Sequence, residues 1–394
     1  MNKHLEFISR EKEIFKTDFD SQEYEIKNEI RNSKFLIVGG AGSIGSAVAN
    51  AIFSMGALKL DIVDNSENYL VELVRDVRSS FGYITKSFNT YCLDYRHDNF
   101  QRFLDNKQYD YVFNFAALKH VRSEQHFETA VSMVEVNVIA SHVLLERLPD
   151  LNCKKYFCVS TDKATRPANL MGATKRAMEL ALMQPNSGTA TSFARFANVF
   201  LSHGSLTENF YTRLRKQQPI SLPSDIQRYF ILSNEAACLC LLSALIGKEN
   251  ETFIPKVDEN FMPISFKEIL KKILADSSLE PIWIDNEEEA RQAIGKLNLR
   301  KFWPVYTFQS NTVGEKHIEE FYTKHCIRDT ERFRDIDVIL NLSIPTFDIL
   351  SFKTDFQKIK VNPDSNTETL ISLLSDYVTD FEYKKSNRSL NEQM

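Results

Sequence analysis

The feature that most constrains the fold is a glycine-rich segment that follows a strand-like apolar run. The run KFLIV leads directly into Gly39-Gly40-Ala41-Gly42-Ser43-Ile44-Gly45, and a helix-length apolar segment follows. Glycines in this spacing permit a tight turn, let the backbone approach a pyrophosphate and allow close packing of helix on strand. The helix N-terminus then offers unpaired N–H groups to phosphates. We predict that Gly39, Gly42, Ser43, Ile44 and Gly45 bind a dinucleotide.

An acidic residue follows at the distance that a dinucleotide-binding fold requires. The second strand-like run, KLDIVD, ends in Asp64, about 20 residues beyond Gly45. An acid at this position accepts hydrogen bonds from the adenosine ribose hydroxyls and repels a 2′-phosphate. The sequence therefore favours NAD as the cofactor, with NADP as the alternative. Asp94 ends the third run, TYCLD, where it is either an adenine contact or a turn residue.

Short apolar runs alternate with helix-length segments between residue 34 and about residue 200. The predicted strands are KFLIVGG, KLDIVD, TYCLD, YDYVFNFAA, KKYFCVS and TSFARFANVF. The predicted helices between them include GSAVANAIFSM, NYLVELVRDVRSS and AVSMVEVNVIASHVLLERL. This alternation predicts an α/β fold, a Rossmann doubly wound parallel sheet with right-handed crossovers.

The pattern divides the chain into four predicted regions. These are a helical N-terminal extension (1–32), an NAD(P)-binding Rossmann domain (33–200), a smaller C-terminal substrate-binding lobe (201–345) and a C-terminal tail (346–394). In the lobe, ENFYTRLRKQ, EAACLCLLSALIG and FKEILKKIL are predicted helices, whereas SLPSD and IPKVDENFMPIS are predicted connections. In the tail, TETLISLLSDYV is a predicted helix, and the charged end is expected to be mobile.

Charge and cysteine usage exclude several classes of function. The formal net charge is −5 and no long basic run occurs, so we expect no nucleic-acid partner, because phosphate neutralisation needs clustered Lys and Arg. None of the six cysteines forms a CxxC pair, and no His or Cys cluster has zinc spacing. We therefore expect no metal site and a reducing compartment.

The N-terminal sequence and the hydropathy pattern bear on location. MNKHLEFISREKEIF has no apolar core of a signal peptide. No apolar stretch is expected to approach the roughly 20 residues needed to cross a bilayer. The sequence therefore predicts a cytoplasmic protein without a membrane partner.

Several further motifs resemble one enzyme family. NFAALKHV (114–121), followed by Asn137, resembles the fourth-strand motif of extended short-chain dehydrogenases/reductases. VSTDKA (159–164) and MGATKR (171–176) are similar to the STDKA…(Y/M)GATKR signature of nucleotide-sugar 4,6-dehydratases of polysaccharide biosynthesis, which act on UDP-N-acetylglucosamine. RFANV (195–199), GSL (204–206), RYF (228–230) and GEK (314–316) resemble later elements of that family. The resemblance covers roughly residues 34–320 in the right order.

This resemblance implies a catalytic set at the end of the fifth strand. In the family, NAD takes hydride from C4 of the sugar, a base removes the C5 proton, water leaves from C6 and the hydride returns to C6. Asp162 is the implied acid towards the C6 oxygen, and Lys163 is the implied base at C5. Burial would lower the pKa of Lys163 and a charged Asp162 would raise it, and the sequence leaves the outcome open. Ala116 and Ala117 are implied cofactor contacts.

One position departs from the usual family pattern. Lys175 lies four residues after Met171, so both project from one helix face. The resemblance implies that Lys175 binds the nicotinamide ribose, but the position of Met171 is usually Tyr. A thioether cannot exchange a proton, although a sub-branch of the family also carries Met. Thr161, or Lys163 acting twice, is then the hypothetical base for the C4 hydroxyl.

The implied substrate contacts lie on either side of this set. Asn198 and Arg228 are candidates for the uridine diphosphate, since Arg can bridge phosphates bidentately; the alternative makes Arg228 a surface cation. Lys119 and His120 follow the fourth strand, where crevice-lining residues are expected, although a lone His is often structural. Thr312-Val313 replace the Arg-Pro that precedes GEK in the family, so a cationic phosphate contact is missing there or supplied elsewhere.

The resemblance predicts a UDP-N-acetylglucosamine 4,6-dehydratase that supplies surface-glycan sugars of the bacillosamine or legionaminic-acid type. Alternatives are a 4,6-dehydratase that also epimerises C5, an NAD-dependent nucleotide-sugar 4-epimerase and a non-catalytic nucleotide-sugar sensor. Family members pair through the two helices that flank the catalytic segment, so a homodimer or higher homo-oligomer is expected. The helix from Met171 has an apolar face (Met178, Leu180, Ala181, Leu182) that serves either pairing or packing on its own sheet.

Overall fold

The computed structural model describes residues 2–185, 188–310 and 314–384. Its α-helices are α1 (Lys3–Phe7), α2 (Lys16–Asn32), α3 (Ser43–Ser54), α4 (Glu67–Phe81), α5 (Asp98–Leu104), α6 (Phe127–Val134), α7 (Ala140–Arg147), α8 (Leu170–Leu182), α9 (Leu206–Arg215), α10 (Ser233–Leu245), α11 (Phe266–Asp276), α12 (Glu287–Ala293), α13 (Ile349–Val361) and α14 (Thr367–Tyr377). A π-helical turn (Glu135–Ile139) joins α6 to α7, and 3₁₀ turns cover Val121–Gln125, Pro149–Leu151 and Asp162–Ala164.

The strands follow the same chain order. They are β1 (Lys34–Val38), β2 (Lys59–Asp64), β3 (Ser87–Cys92), β4 (Tyr111–Asn114), β5 (Lys155–Thr161), β6 (Ala190–Phe196), β7 (Asn198–Val199), β8 (Ile220–Pro223), β9 (Gln227–Arg228), β10 (Phe230–Ile231), β11 (Glu251–Pro255), β12 (Ile264–Ser265), β13 (Glu280–Ile284), β14 (Phe302–Phe308), β15 (Arg328–Asp329) and β16 (Ile336–Ile339).

A nine-stranded sheet forms the centre of the molecule. Its order is β15-β16-β11-β6-β5-β4-β1-β2-β3, and all pairs from β11 to β3 are parallel. The six strands predicted between residues 34 and 200 all lie in this sheet, in the 3-2-1-4-5-6 order of a Rossmann fold. Helices α3, α4 and α10 pack with it in one apolar core, and α7 and α8 contribute to a second core built on other sheet residues. The predicted α/β fold is confirmed.

The strand order reverses between β1 and β4. Val38, the last residue of β1, pairs with Val63 of β2 on one side and with Asn114 of β4 on the other. The segments that follow β1 and β4 therefore leave the sheet in opposite directions and open a crevice at its carboxyl edge. This crevice is where a doubly wound sheet binds its ligand.

A smaller lobe stands beside this edge. Its three-stranded parallel sheet has the order β13-β14-β8, and α9 and α11 pack against it in a separate apolar core. SLPSD, which we predicted as a connection, largely forms strand β8. Ile220 and Leu222 are fully buried, so tertiary packing overrides the turn tendency of the Ser, Pro and Asp around them.

The predicted domain boundary at residue 200 does not coincide with the boundary between the large sheet and the small lobe. Strands β11, β15 and β16 come from the range 201–345, yet they extend the large sheet. Helix α10 also packs on β6 of that sheet through apolar residues such as Leu239. The chain therefore enters the small lobe, returns to the large sheet and enters the lobe again. The apolar periodicity of the sequence does not predict such crossings.

The N-terminal extension is helical and belongs to the core. Helix α2 packs on α10 with Phe19, Ile26 and Ile30, which are buried. Arg10 forms a buried ion pair with Glu235 of α10, at 2.5 Å between Nη2 and Oε2. Burying this pair fixes how the extension lies on the fold, because removing either partner would leave the other charge buried and unpaired.

The C-terminal region is a folded helical pair. Helices α13 and α14 cover one face of α6 and α8 in a shared apolar cluster that includes Ala173, Ala177, Leu180 and Ala181 of α8. Met178 and Leu182 of α8 instead pack towards the large sheet. The apolar face of α8 that we considered for pairing is therefore covered within this chain. The charged end from residue 385, predicted to be mobile, lies outside the described residues.

One helical run is apolar enough to be compared with a membrane span. Within the described ranges, Phe127–Arg147 has the length and mean hydropathy, 1.3, of a bilayer-crossing helix. The expectation that no apolar stretch approaches 20 residues is therefore wrong. In the fold, this run packs beside α8, and Val134 and Val138 are buried against it. A core helix of a folded domain has the same composition, so the run alone is weak evidence for a membrane protein.

Candidate active site

A cavity of about 870 Å³ lies in the crevice between the large sheet and the small lobe. The glycine loop after β1 and the segments after β4 and β5 line one side, and residues from the β7–α9 region and from β9 line the other. A volume of this size is typical of a pocket for a small organic ligand or cofactor. The cavity therefore brings most of the predicted site residues together.

The glycine loop has the geometry that its spacing predicts. Gly39 has a φ of +72°, and a Cβ there would lie 2.5 Å from the backbone N of Ala116. A Cβ on Gly45 would lie 2.3 Å from the carbonyl oxygen of Gly39. Gly42, by contrast, precedes α3 as its N-cap without a side-chain cap, and a Cβ there would meet no atom closer than 3.5 Å. Ser43 and Ile44 complete the lining, so the loop leaves the first N–H groups of α3 open to the cavity.

The end of β2 supports this loop. Asp64 accepts hydrogen bonds from the backbone N of Ala41, at 3.0 Å, and from the backbone N of Ser66, at 3.0 Å. Its carboxylate lines the cavity, where ribose hydroxyls of a dinucleotide would reach it. Asp94 also lines the cavity, and it forms an ion pair with Arg96, at 2.6 Å between Nη2 and Oδ2. Arg96 is a cationic cavity residue that the sequence reasoning missed.

The segment after β4 is held by an asparagine from the π-helical turn. Asn137 accepts from the backbone N of Leu118 and donates to its carbonyl oxygen, both at 3.0 Å. This pair of bonds fixes the loop that carries Ala116, Ala117 and Lys119 into the cavity. Asn137 therefore acts as the anchor of the fourth-strand motif.

Three consecutive predicted catalytic residues lie at the end of β5. Thr161 donates from its hydroxyl to Oδ1 of Asp162 at 2.6 Å, and the backbone N of Lys163 donates to the same oxygen at 2.9 Å. The Lys163 Nζ lies 3.4 Å from Oδ1 of Asp162. Asp162 is 1% exposed, whereas Lys163 keeps a partly exposed side chain in the cavity. The predicted acid and base are thus adjacent, and they face the same space.

The charge state of Lys163 is set by two carboxylates. Burial lowers the pKa of Lys163, but the charges of Asp162 and Glu319 outweigh burial and raise it. Glu319 Oε1 lies 3.5 Å from Lys163 Nζ. Charge rather than burial therefore sets the direction of the Lys163 pKa shift, and Lys163 rests as an ammonium at neutral pH.

Helix α8 contributes Met171 and Lys175 to the cavity wall. Both residues are buried, and both line the cavity, so they share the predicted helix face. Burial lowers the pKa of Lys175 to about 8, and Cys158 and Glu179 oppose this shift only in part. Asn169 caps the helix by accepting from the backbone N of Gly172 at 2.8 Å. The thioether of Met171 can neither donate a proton to a ligand in the cavity nor accept one.

Arg228 is not the surface cation that one reading of the sequence suggested. It is 2% exposed, and its Nη2 donates to Oε1 of Glu315 at 2.5 Å. Its Nη1 donates to the carbonyl oxygens of Gln227, Lys316 and His317, at 2.8 to 3.2 Å. These bonds anchor the segment at residues 314–317 to β9. Arg228 also lines the cavity, where its contact with a substrate phosphate stays a prediction. Asn198, the other candidate, lies in the cavity wall on β7.

Lys119 and His120 meet a loop from the small lobe. Lys119 Nζ donates to the carbonyl oxygen of His203 at 3.3 Å, and the His120 ring lies against Gly204. The backbone N of His203 donates to the Ser43 hydroxyl of the glycine loop at 2.8 Å, and its ring stacks on Tyr69 at 4.8 Å. The loop thus bridges both sides of the cavity. Its contacts join residues more than 80 positions apart, which no local pattern predicts.

The residues of the cavity fit a nicotinamide dinucleotide. Gly42 leaves space at the N-terminus of α3, Asp64 offers a carboxylate at the ribose position and Lys175 stands at the inner wall. The described part of the chain contains no group of three or more His, Cys, Asp or Glu side chains that could hold a metal ion. Thr312 and Val313, which replace the family's Arg-Pro, lie outside the described residues.

Comparison with known sequences gives a family and several relatives. A profile of the family described as "Polysaccharide biosynthesis protein" matches residues 35–336. An uncharacterised membrane protein of Methanocaldococcus jannaschii is 28% identical, over 80% of this chain and 88% of that protein. A probable polysaccharide biosynthesis protein of Bacillus subtilis is 27% identical over 71% of this chain but only 50% of its own length. A UDP-glucose 4-epimerase of Rickettsia massiliae is 25% identical over 76% of this chain and 80% of its own.

Solved structures share the fold. The structure of Pen from Bacillus thuringiensis has a TM-score of 0.63 and 23% identity, covering 79% of this chain and 88% of that chain. WbmF of Bordetella bronchiseptica, solved with NAD⁺ and UDP, has a TM-score of 0.52 and 20% identity, covering 62% and 77%. At these identities, the likeness extends to the fold alone.

Proposed function

Because the chain belongs to the family of polysaccharide biosynthesis proteins, we propose that it is an NAD(P)-dependent 4,6-dehydratase of UDP-N-acetylglucosamine. The observation that carries this proposal is the placement of Asp162 and Lys163. They stand side by side at the end of β5, in a cavity that also contains the glycine loop and Lys175. Loss of water across C5 and C6 needs a base and an acid directed at these neighbouring carbons, next to a hydride acceptor for C4.

The relatives support the broader part of the proposal. They include a polysaccharide biosynthesis protein and a UDP-glucose 4-epimerase, and WbmF has this fold and binds NAD⁺ and UDP. A nucleotide-sugar-modifying enzyme with a nicotinamide cofactor agrees with all of them. NAD is favoured over NADP because the Asp64 carboxylate would repel a 2′-phosphate.

The reaction divides among the cavity residues. The glycine loop, Asp64 and Lys175 would hold a nicotinamide cofactor, which would supply hydride-acceptor chemistry at C4 of the sugar and hydride-donor chemistry at C6. Asp162 gives a proton to the C6 hydroxyl, which departs as water. Lys163 takes the proton from C5, which the C4 ketone has made acidic. Lys175, with a pKa of about 8, contributes a positive charge beside the cofactor at neutral pH.

Lys163 must lose a proton before it acts on C5. The Lys163 side chain between Asp162 and Glu319 rests as an ammonium because its pKa is raised, and the raised pKa makes the neutral amine a stronger base once it forms. A base of high proton affinity suits a carbon acid. The cost is a small reactive fraction at neutral pH, so turnover should rise with pH through an acidic limb.

Thr161 is the proposed base for the C4 hydroxyl in place of the usual tyrosine. Its hydroxyl lies in the cavity wall and donates to Asp162 at 2.6 Å, so a proton taken from the sugar can pass to that carboxylate. Asp162 then holds a proton for the C6 oxygen. Thr161→Val removes this path, and little loss of turnover in that variant would transfer the role to Lys163.

The second candidate is a nucleotide-sugar 4-epimerase, which the relative from Rickettsia massiliae favours. An epimerase needs no acid and base for C5 and C6, so the Asp162–Lys163 pair argues for dehydration. Dehydration followed by C5 epimerisation uses the same residues. A non-catalytic sensor would not need Asp162, Lys163 and Lys175 together.

The cellular part of the proposal follows from the chemistry. We assign the product to surface-glycan sugars of the bacillosamine or legionaminic-acid type, made in the cytoplasm where nucleotide sugars are handled. A homo-oligomer stays part of the proposal. Pairing through α8 would require α13 and α14 to move, because these helices cover its outer face.

Incubation with UDP-N-acetylglucosamine in D₂O, followed by NMR and mass spectrometry, tests the function. Loss of one water, deuterium at C5 and a new C6 methyl signal are expected. The configuration at C5 separates retention from inversion. A substrate that returns unchanged in mass would refute the dehydratase, and inversion at C4 without mass loss would identify the epimerase.

A further inference from the structure

A segment more than 140 residues beyond Asp162 and Lys163 in the sequence packs against the loop that carries them. Residues 314–321 have no helix or strand, yet three contacts tie them to the loop after β5 and to β6. Lys316 Nζ donates to the carbonyl oxygen of Thr165 at 3.0 Å, and Arg195 Nη1 donates to the carbonyl oxygen of Phe321 at 3.1 Å. A Cβ on Gly314 would lie 2.3 Å from the carbonyl oxygen of Ala168. The segment is therefore held against the loop that carries Asp162 and Lys163.

Glu319 uses this position to face Lys163. Its side chain is 2% exposed, and Oε1 lies 3.5 Å from Lys163 Nζ and 3.9 Å from Arg228 Nη2. Among the described residues, Oε1 accepts no hydrogen bond. Glu319 does not line the cavity, so it lies behind Lys163 as seen from a ligand. A buried carboxylate oxygen without a hydrogen bond costs free energy, and the nearby ammonium is its main compensation.

Lys163 lies in a cluster of three cations and three carboxylates, and two of the carboxylates are its nearest charged neighbours. Arg228 is paired with Glu315, and Lys316 is bound to a carbonyl oxygen. Lys163 is thus one cation between two carboxylates, Asp162 and Glu319. Burial and Arg228 lower the pKa of Lys163, but Asp162 and Glu319, its two nearest charges, outweigh them and raise it. Burial raises the pKa of Glu319; Asp162 adds to this shift, whereas the charges of Lys163, Arg228 and Lys316 oppose it.

We propose that Glu319 is a positioning residue that holds the Lys163 ammonium in the cavity and sets the pH at which it loses its proton. The role deepens the proposed function, because there Lys163 is the base at C5. It acts through Lys163 and touches no substrate. The electrostatic effect follows from distance: a unit charge 3.5 Å away in a buried site changes a proton affinity by more than about tenfold.

The first experiment measures kcat for dehydration of UDP-N-acetylglucosamine against pH. Glu319→Gln keeps the size of the side chain and removes the charge, so the acidic limb should move down by about one pH unit or more. Glu320→Gln, at the exposed neighbouring residue, is the matched control and should leave the limb in place. A fall in kcat with an unmoved limb would make Glu319 merely structural and would overturn the proposal, as would an unchanged profile.

Glu319→Asp keeps the charge but withdraws it by one methylene, so a smaller downward shift is expected. This variant carries the test if Glu319→Gln does not fold, as judged by circular dichroism. An unmoved limb in a folded Glu319→Asp protein would then count against the proposal.

The second experiment follows Lys163 without turnover. The full-length protein is acetylated briefly with acetic anhydride over a range of pH, and the peptide containing Lys163 is quantified by mass spectrometry. Half-maximal labelling should occur at lower pH in Glu319→Gln than in the wild type. Unshifted labelling would overturn the role of Glu319 whatever the activity. Shifted labelling in a protein that dehydrates no UDP-N-acetylglucosamine would refute the proposed function and leave the role of Glu319 intact.

Discussion

A buried ion pair joins α8 to β6 behind the cavity, and its contribution to stability follows from the structure. Glu179 of α8 and Arg195 of β6 are joined by two hydrogen bonds, at 2.7 Å to Nε and 2.5 Å to Nη2. Glu179 has no exposed surface. Arg195 also donates to the Thr165 hydroxyl at 3.1 Å, so the pair connects α8, β6 and the loop after β5. We expect Glu179→Gln to destabilise the protein strongly.

The contribution of Glu179 to the free energy of unfolding can be obtained from its pKa and from the burial of the ion pair. Burial would raise the pKa of Glu179, but Arg195 outweighs it and lowers the pKa from 4.5 to about 2. A shift of this size corresponds to about 3 kcal/mol of stability at neutral pH. Breaking a buried ion pair from one side costs about 3–5 kcal/mol, because the remaining charge is left unpaired. Glu179→Gln should therefore lower the free energy of unfolding by about 3 kcal/mol or more.

Urea denaturation followed by circular dichroism measures this loss at pH 7. The folded pKa lies below the unfolded one, so the contribution of Glu179 is fully present above about pH 4.5 and disappears as the pH falls towards 2. The wild type should thus lose stability faster than the variant in that window. Glu320→Gln breaks only the exposed pair with Arg166, so a change below about 1 kcal/mol is expected. A loss of similar size in Glu179→Gln would refute the reasoning.

Other substitutions test the remaining features of the site and fold. Lys175→Met should abolish turnover and yet raise the free energy of unfolding at pH 7 by up to about 3 kcal/mol. Burial lowers the pKa of Lys175 from 10.5 to about 8, so the charged side chain costs the folded state stability below pH 8, and this cost disappears as the pH rises towards 10.5. A turnover assay and thermal unfolding measure the two effects. Gly42→Ala should weaken NADH binding about tenfold or more and cost only about 1 kcal/mol of stability, because a Cβ there meets no atom closer than 3.5 Å and Ala is a poorer N-cap than Gly. Gly45→Ala, with its Cβ 2.3 Å from the carbonyl oxygen of Gly39, should lower both more strongly, as NADH fluorescence titration and thermal unfolding would show. Leu374→Ala in α14 should cost about 2–5 kcal/mol and increase hydrogen exchange in α8, since Leu374 is fully buried against that helix; unchanged exchange there would separate the two elements.

The sequence predicts the large sheet well because its signals are local. Each of its first six strands is a short apolar run followed by a turn or a helix, and the parallel order follows from the alternation. Gly39, Asp64, Asp162 and Lys163 lie at strand ends, where the chain itself brings them to one edge of the sheet. Lys175 follows from helix spacing. For these residues, a local pattern is sufficient.

The sequence failed where the answer depends on distant contacts. The bonds from Arg228 to Glu315, Lys316 and His317 could not be predicted, because these partners lie more than 80 positions away in the sequence. Glu319 reaches Lys163 across about 150 positions, and no spacing rule connects them. The segment GEK was recognised as a motif, and a carboxylate a few residues beyond it was the only available hint. Strand β8 was missed because burial, rather than its residue types, makes it a strand.

The order of the chain has a consequence for how the protein is made. Helix α8 is synthesised roughly 190 residues before α14, and at typical translation rates this takes about 10–40 s. During that interval, the small apolar side chains on its outer face, such as Ala173 and Ala177, have no cover from α13 and α14. The nascent Rossmann half is then a surface to which a chaperone or a second nascent chain can bind. Packing of α13 and α14 on α8 ends that exposure.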